Sequence, residues 1–138
     1  MKVKILLLAL CLSLAFTARA QEAQNTQILT AEEVVNQQLA AYNAGDIDAF
    51  VATFSEDIEI YNARGELSMK GHEQLRERYG ALFTRFPNQV CTIENRIVIN
   101  NTVIDKERIE GRGNDRIMYA VSVNKVKDGK IFEIRFVD

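Results

Sequence analysis

The chain has 138 residues, 17 basic and 19 acidic side chains, a formal net charge of −2 and 47% hydrophobic residues. That length allows one domain with a buried core. The mild acidity argues against nucleic acid or an anionic membrane surface as a partner.

The opening stretch, MKVKILLLALCLSLAFTARA, carries two lysines, an apolar run from Ile5 to Phe16 broken by Ser13, and small residues ending in Ala18-Arg19-Ala20. This is the layout of a cleaved export signal, with cleavage expected after Ala20. A spanning helix needs about 20 apolar residues, and no later stretch supplies them, so no membrane partner is expected after cleavage. Cys11 follows the bulky Leu10, which disfavours lipid attachment. Residues 1–20 hold Lys2, Lys4 and Arg19 and no acid, so the remaining chain has 14 basic against 19 acidic groups. The destination is secreted or periplasmic. Cys91 is then the lone cysteine, excluding an intramolecular disulfide.

Residues 21–28 are polar and aperiodic, a lead-in to a single domain over 29–138. Thr30 and Glu33 form a capping-box pattern, and Val35, Leu39 and Tyr42 share one helical face before a stop at Gly45. Asp46 caps a short second helix with Ile47, Phe50, Val51 and Phe54. Ile58, Ile60 and Asn62 alternate with Glu59 and Tyr61, a strand running to a turn at Gly65. A third helix starts after Gly71 with Leu75, Tyr79, Leu82, Phe83 and Phe86 and stops at Pro87. Four strands follow, at about 89–99, 102–112, 115–127 and 130–137. Asn100-Asn101 and Asp128-Gly129 are the expected two-residue turns. Helices first and a long meander last give an α+β class.

LAAYNAGDIDAFVATFSEDIEIYNARGE, then KGHEQLRERYGALFTRFP, then the closing VKDGKIFEIRFVD resemble the nuclear transport factor 2-like superfamily in its SnoaL-like and ketosteroid-isomerase-like branch. The resemblance implies a cone-shaped fold, three helices packed in a curved, mostly antiparallel sheet around a pocket. It also sets out what steroid isomerisation would require. The base position falls at Asn62, the oxyanion tyrosine at Gln38 and its acidic partner at Val121, while a supporting tyrosine remains at Tyr79. An amide is no proton acceptor near neutral pH, so that mechanism is not expected.

The stretch VIDKERIEG, residues 103–111, poses the main question of orientation. Alternation puts Val103, Asp105, Glu107 and Ile109 on one face and Ile104, Lys106, Arg108 and Glu110 on the other. If the register set by Asn100-Asn101 runs without interruption, Cys91, Ile93, Ile97 and Ile99 share the face of Lys106 and Arg108. The more apolar face should look into the cone, and the pocket alternation implied by the resemblance agrees. Lys106 and Arg108 are therefore expected inside, although both could equally rest their stems on the rim. Glu94, Arg96, Asp105 and Glu107 are expected outside, as a cross-strand ion cluster at a homodimer interface through the sheet.

The candidate ligand-binding residues are thus Asn62, Tyr79, Lys106, Arg108, Tyr119 and Asp138, around an apolar lining of Ile60, Ile104, Val121, Phe132, Ile134 and Phe136. No catalytic residue stands out. His72, the lone histidine, reads as a helix-start packing residue, and no metal-ligand spacing, phosphate loop or nucleophile triad is present, so no cofactor or metal is expected. Two functions remain open. One is a non-catalytic exported binder of a small amphipathic or anionic ligand; the other is a lyase, isomerase or cyclase-like enzyme acting on a small carbonyl or carboxylate.

Overall fold

The computed structural model describes residues 28–113 and 116–137. The expected export signal, its cleavage point, most of the lead-in, and Asp138 lie outside the described residues. Helix α1 (Ala31–Ala44) begins with the capping box expected from its sequence: Thr30 Oγ1 accepts from the Glu33 amide, and Glu33 accepts from the Thr30 amide at 2.8 Å. Gly45, with φ of 64°, closes it, and its amide donates to the carbonyls of Ala41 and Tyr42. Asp46 caps α2 (Ile47–Ala52) through the Ala49 amide. Helix α3 (Gly71–Arg85) starts after an extended Lys70.

The strands are β1 (Phe54–Tyr61), β2 (Leu67–Lys70), β3 (Val90–Ile99), β4 (Thr102–Glu110), β5 (Met118–Lys127) and β6 (Lys130–Val137). They form one sheet in the order β2-β1-β6-β5-β4-β3, antiparallel except for the β1–β6 pair. Strand β2 has no counterpart in the sequence reading; at four residues it is too short to show a period. The turns at Asn100 (φ 52°) and at Asp128 and Gly129 (φ 51° and 70°) lie where hairpins were expected. Burial of Phe50, Phe54, Ile58, Leu75, Val34, Val35 and Ile131 welds the helices to one face of the sheet. At about 1.5–3 kcal/mol per fully buried side chain, this layer is the main source of stability. No described helix is long and apolar enough to cross a membrane.

The β3–β4 hairpin corrects the orientation expected for its charges. Its register follows the turn as far as Arg96↔Asp105, but a bulge between Ile93 and Asn95 then shifts it, so that Ile93 pairs with Glu107 and Cys91 with Ile109. Two residues on one strand there face one on the other, which reverses the facing of everything beyond. Cys91 and Ile93 therefore join Arg96, Asp105 and Glu107 on the helix-covered face. Val103, Asp105 and Ile109 are buried, whereas Ile97 and Ile99 are both 56% exposed.

Lys106 and Arg108 accordingly lie on the outer face. Lys106 pairs with Glu94 at 2.8 Å and sits over the ring of Tyr119, while Arg108 pairs with Glu110. Tyr119, which registers with Arg108, is 59% exposed on the same face. Of the expected apolar lining, Ile60, Ile134 and Phe136 face the cavity; Ile104 and Val121 register with outward residues, and Phe132 is exposed.

Candidate functional site

Between helices and sheet lies a cavity of about 360 Å³. Its apolar wall comes from Leu39, Ile60, Leu82, Ile109, Ile134 and Phe136. Two phenols enter from the helices, Tyr42 from α1 and Tyr79 from α3. Their rings are held by Phe50 and Phe83, with Phe50 4.5 Å from Tyr79 and Phe83 5.5 Å from Tyr42 between centroids.

The sheet supplies two carboxylates, and their neighbours give them different chemistry. Asp105 is 1% exposed, and both its oxygens accept from Arg96, Nε to Oδ1 and Nη2 to Oδ2, each at 2.7 Å. Arg96 in turn donates to Asn36 on α1, so the pair fastens helix to sheet. This bidentate arrangement commits both Asp105 oxygens to Arg96, so the carboxylate serves to fasten the sheet to α1.

Glu107 has no such partner. Its Oε1 accepts from the Ser122 hydroxyl at 2.6 Å, and Ser122 Oγ accepts from Asn124 Nδ2 at 3.0 Å. The Asn124 donor takes one of the serine's two acceptor positions, and the serine hydroxyl donates to the ionised Glu107. Oε2 has no hydrogen-bond partner among the described residues, is not among the buried unpaired atoms, and belongs to a cavity-lining side chain. Burial pushes this carboxyl above the usual carboxylate range; the Asp105 charge pushes the same way, while the Ser122 hydrogen bond, Arg112 and Arg96 oppose it.

The Tyr79 hydroxyl also has no partner among the described residues and lines the cavity, available as a hydrogen-bond donor. Burial raises its pKa, which keeps the phenol neutral. Cys91 is 6% exposed and its thiol is pushed up to about 12 by burial, so it serves as a small apolar wall.

Of the residues expected to bind ligand, Asn62 and Tyr79 line the cavity. The Asn62 amide is already committed: its oxygen accepts from the amides of Arg64 and Glu66, and its nitrogen donates to Glu66 Oε2. It builds the turn between β1 and β2. Lys106, Arg108 and Tyr119 lie across the sheet from the cavity, and Asp138 is outside the described residues. His72 bonds the Phe54 carbonyl oxygen at 3.1 Å, away from the cavity. The expected inward facing missed Glu107, Asp105, Ser122 and Asn124. One local signal was available: the polar run Glu94-Asn95-Arg96, with a strand-averse Asn, interrupts β3 where the bulge falls.

The chain belongs to the SnoaL-like domain family, whose model matches residues 35–134. Solved structures share its fold. A cystatin-fold protein from Novosphingobium aromaticivorans is 24% identical, with 80% of this chain and 99% of that one covered and a TM-score of 0.73. A proposed SnoaL-like polyketide cyclase from Jannaschia sp. CCS1 is 19% identical, covering 77% and 83%, at 0.63. A protein with a ketosteroid isomerase-like fold from Catenulispora acidiphila, in complex with trimethylamine, is 17% identical, covering 77% and 85%, at 0.62. No curated protein matches the chain by sequence.

Proposed function

We propose that this protein is a proton-transfer enzyme of the isomerase or lyase type, acting on a small amphipathic carbonyl compound with Glu107 as general acid–base. The observation that carries the reading is Glu107: a carboxyl with a raised pKa, one oxygen fixed by Ser122 and the other open to an otherwise largely apolar cavity. A carboxyl tuned upward by burial serves as base and acid in turn at near-neutral pH. Tyr79 donates to the substrate oxygen on which charge develops when a neighbouring C–H is ionised. The route differs from the steroid-isomerase pattern, because Asn62 is committed to a turn and Gln38 stands where that pattern has a tyrosine.

The test is hydrogen–deuterium exchange next to the carbonyl of 2-tetralone in D2O, followed by proton NMR. Wild type should accelerate exchange over buffer, and Glu107→Gln should lose at least about 100-fold of that acceleration. Binding of 2-tetralone without accelerated exchange would leave the binder reading in force.

The residues 1–20 support export to a secreted or periplasmic location as part of this proposal. The outer sheet face supports self-association as a homodimer. Ile97, Ile99, Tyr119 and Val137 are exposed there beside cross-strand Lys–Glu pairs, Lys106–Glu94 and Lys125–Glu133, and charges of both signs suit a two-fold contact.

A further inference from the structure

Strand β4 leaves the sheet at Gly111, where φ is +76° and an added Cβ would lie 2.2 Å from the Asn88 carbonyl oxygen. Only glycine lets the chain lie that close. The contact holds the next residue, Arg112, against the segment that leads into β3. There Arg112 Nε donates to Gln89 Oε1 at 3.0 Å and its Nη2 donates to the Tyr42 hydroxyl, which itself donates to Gln89 Oε1 at 2.9 Å. Gln89 and Tyr42 are buried, at 3% and 7% exposure, so the mount is rigid.

Both acceptors in this ring are neutral. Arg96, Lys106 and Arg108 each meet a carboxylate, but among the described residues no carboxylate lies within ion-pair distance of Arg112. Arg112 lines the cavity, and no protein acceptor among the described residues meets its Nη1. A planar fork with an uncommitted end recognises a carboxylate through two parallel hydrogen bonds.

We propose that Arg112 is an anion-recognition subsite, and that the ligand is a small, largely apolar carboxylate whose head meets this guanidinium while its skeleton lies against Ile60, Ile109 and Phe136. This rests on the cavity being the ligand site and names the substrate class that the reading above leaves open. The charged and titratable groups around Glu107 and its cavity are Asp105 on its own strand, Arg96 and Cys91 on β3, Tyr42 on α1, Arg78 and Tyr79 on α3, and Arg112. Arg96 offsets Asp105, so Glu107 and Arg112, with Arg78 on the α3 side, set the balance that an incoming anion meets. An ionised Glu107 opposes the anion and a protonated one does not. Carboxylate binding therefore takes up a proton and tightens as pH falls.

The experiment is calorimetric titration of the protein with 2-naphthoate and with 2-naphthamide, at about pH 6 and about pH 8. The acid should bind about tenfold or more tighter than the amide. Arg112→Gln should erase that difference while leaving amide affinity within about twofold, and Arg112→Lys should keep part of it. Glu107→Gln should keep the preference and lose its pH dependence. Equal binding of acid and amide to wild type, no binding of the acid at millimolar concentration, or a preference that survives Arg112→Gln overturns the subsite. If Arg112→Gln unfolds because Tyr42 and Gln89 lose their brace, arginine-labelled wild type decides. The Arg112 Nε resonance should move with the acid and not the amide, and acid binding without that movement overturns the proposal. Loss of the acid preference with Glu107-dependent exchange intact defeats this subsite alone, whereas absence of exchange with the preference intact defeats the acid–base reading alone.

Discussion

The two faces of the β3–β4–β5 sheet carry similar residue types and put them to opposite uses. On the outer face, ions are paired in water: Lys106 with Glu94, Lys125 with Glu133 and Arg108 with Glu110, among exposed aliphatic side chains. On the inner face, Asp105 and Glu107 sit two residues apart on one strand. One is locked by Arg96, while the other is left with a free oxygen. Screening makes the outer pairs nearly neutral to stability, whereas burial makes each inner charge consequential. Counting apolar residues before the bulge is placed therefore misleads about which face is the inside. Cys91, Ile93, Val103, Ile109 and Met118 share the inner face with the two carboxylates, an apolar wall around a polar site.

The sharpest way to break this contrast is Glu107→Gln. Proton exchange should fall at least about 100-fold, while stability changes in the opposite sense. The folded-state pKa of Glu107 lies above its unfolded value, so between the two the folded chain holds a proton that the unfolded chain releases. Wild-type stability from this group is thus lost as pH rises through that window. At neutral pH the Gln variant should equal or exceed wild type in urea unfolding, with the difference closing below the unfolded pKa.

Next in size is Asp105→Ala, which leaves Arg96 facing a nearly buried site without its partner and should cost about 3 kcal/mol in chemical denaturation. The outer counterpart, Glu94→Ala beside Lys106, should leave the thermal midpoint unchanged, and equal losses for the two would erase the distinction between the faces. Ser122→Ala removes a hydrogen bond that holds the Glu107 pKa down, so the acid limb of the exchange profile should move to higher pH; an unmoved limb would show that Ser122 only fills space. The smallest effect is expected from Lys106→Met together with Arg108→Leu. Ligand affinity and exchange rate should both stay at wild-type values, and a loss of affinity would return these cations to the site.

Much of the fold follows from local chemistry. Thr30 and Glu33, Gly45, Asp46, and the turns at Asn100 and Asp128-Gly129 each settle an element boundary through hydrogen bonds or backbone freedom within a few residues. Tyr79 lines the cavity because helical spacing puts it on the face of Leu75 and Phe83. The SnoaL-like membership rests on the same local pattern carried over most of the chain.

What the sequence by itself determined is the elements other than β2, their order, and the two candidate faces of residues 103–110, since side chains alternate along any strand. The choice between the faces was made by tertiary structure. One extra residue at the Ile93–Asn95 bulge, which alternation does not encode, moved Cys91 and Ile93 onto the side of Glu107. The helices then covered that side, and desolvation, acting only on the packed face, turned Glu107 from one of 19 acids into a carboxyl with a raised pKa while leaving Lys106 in water.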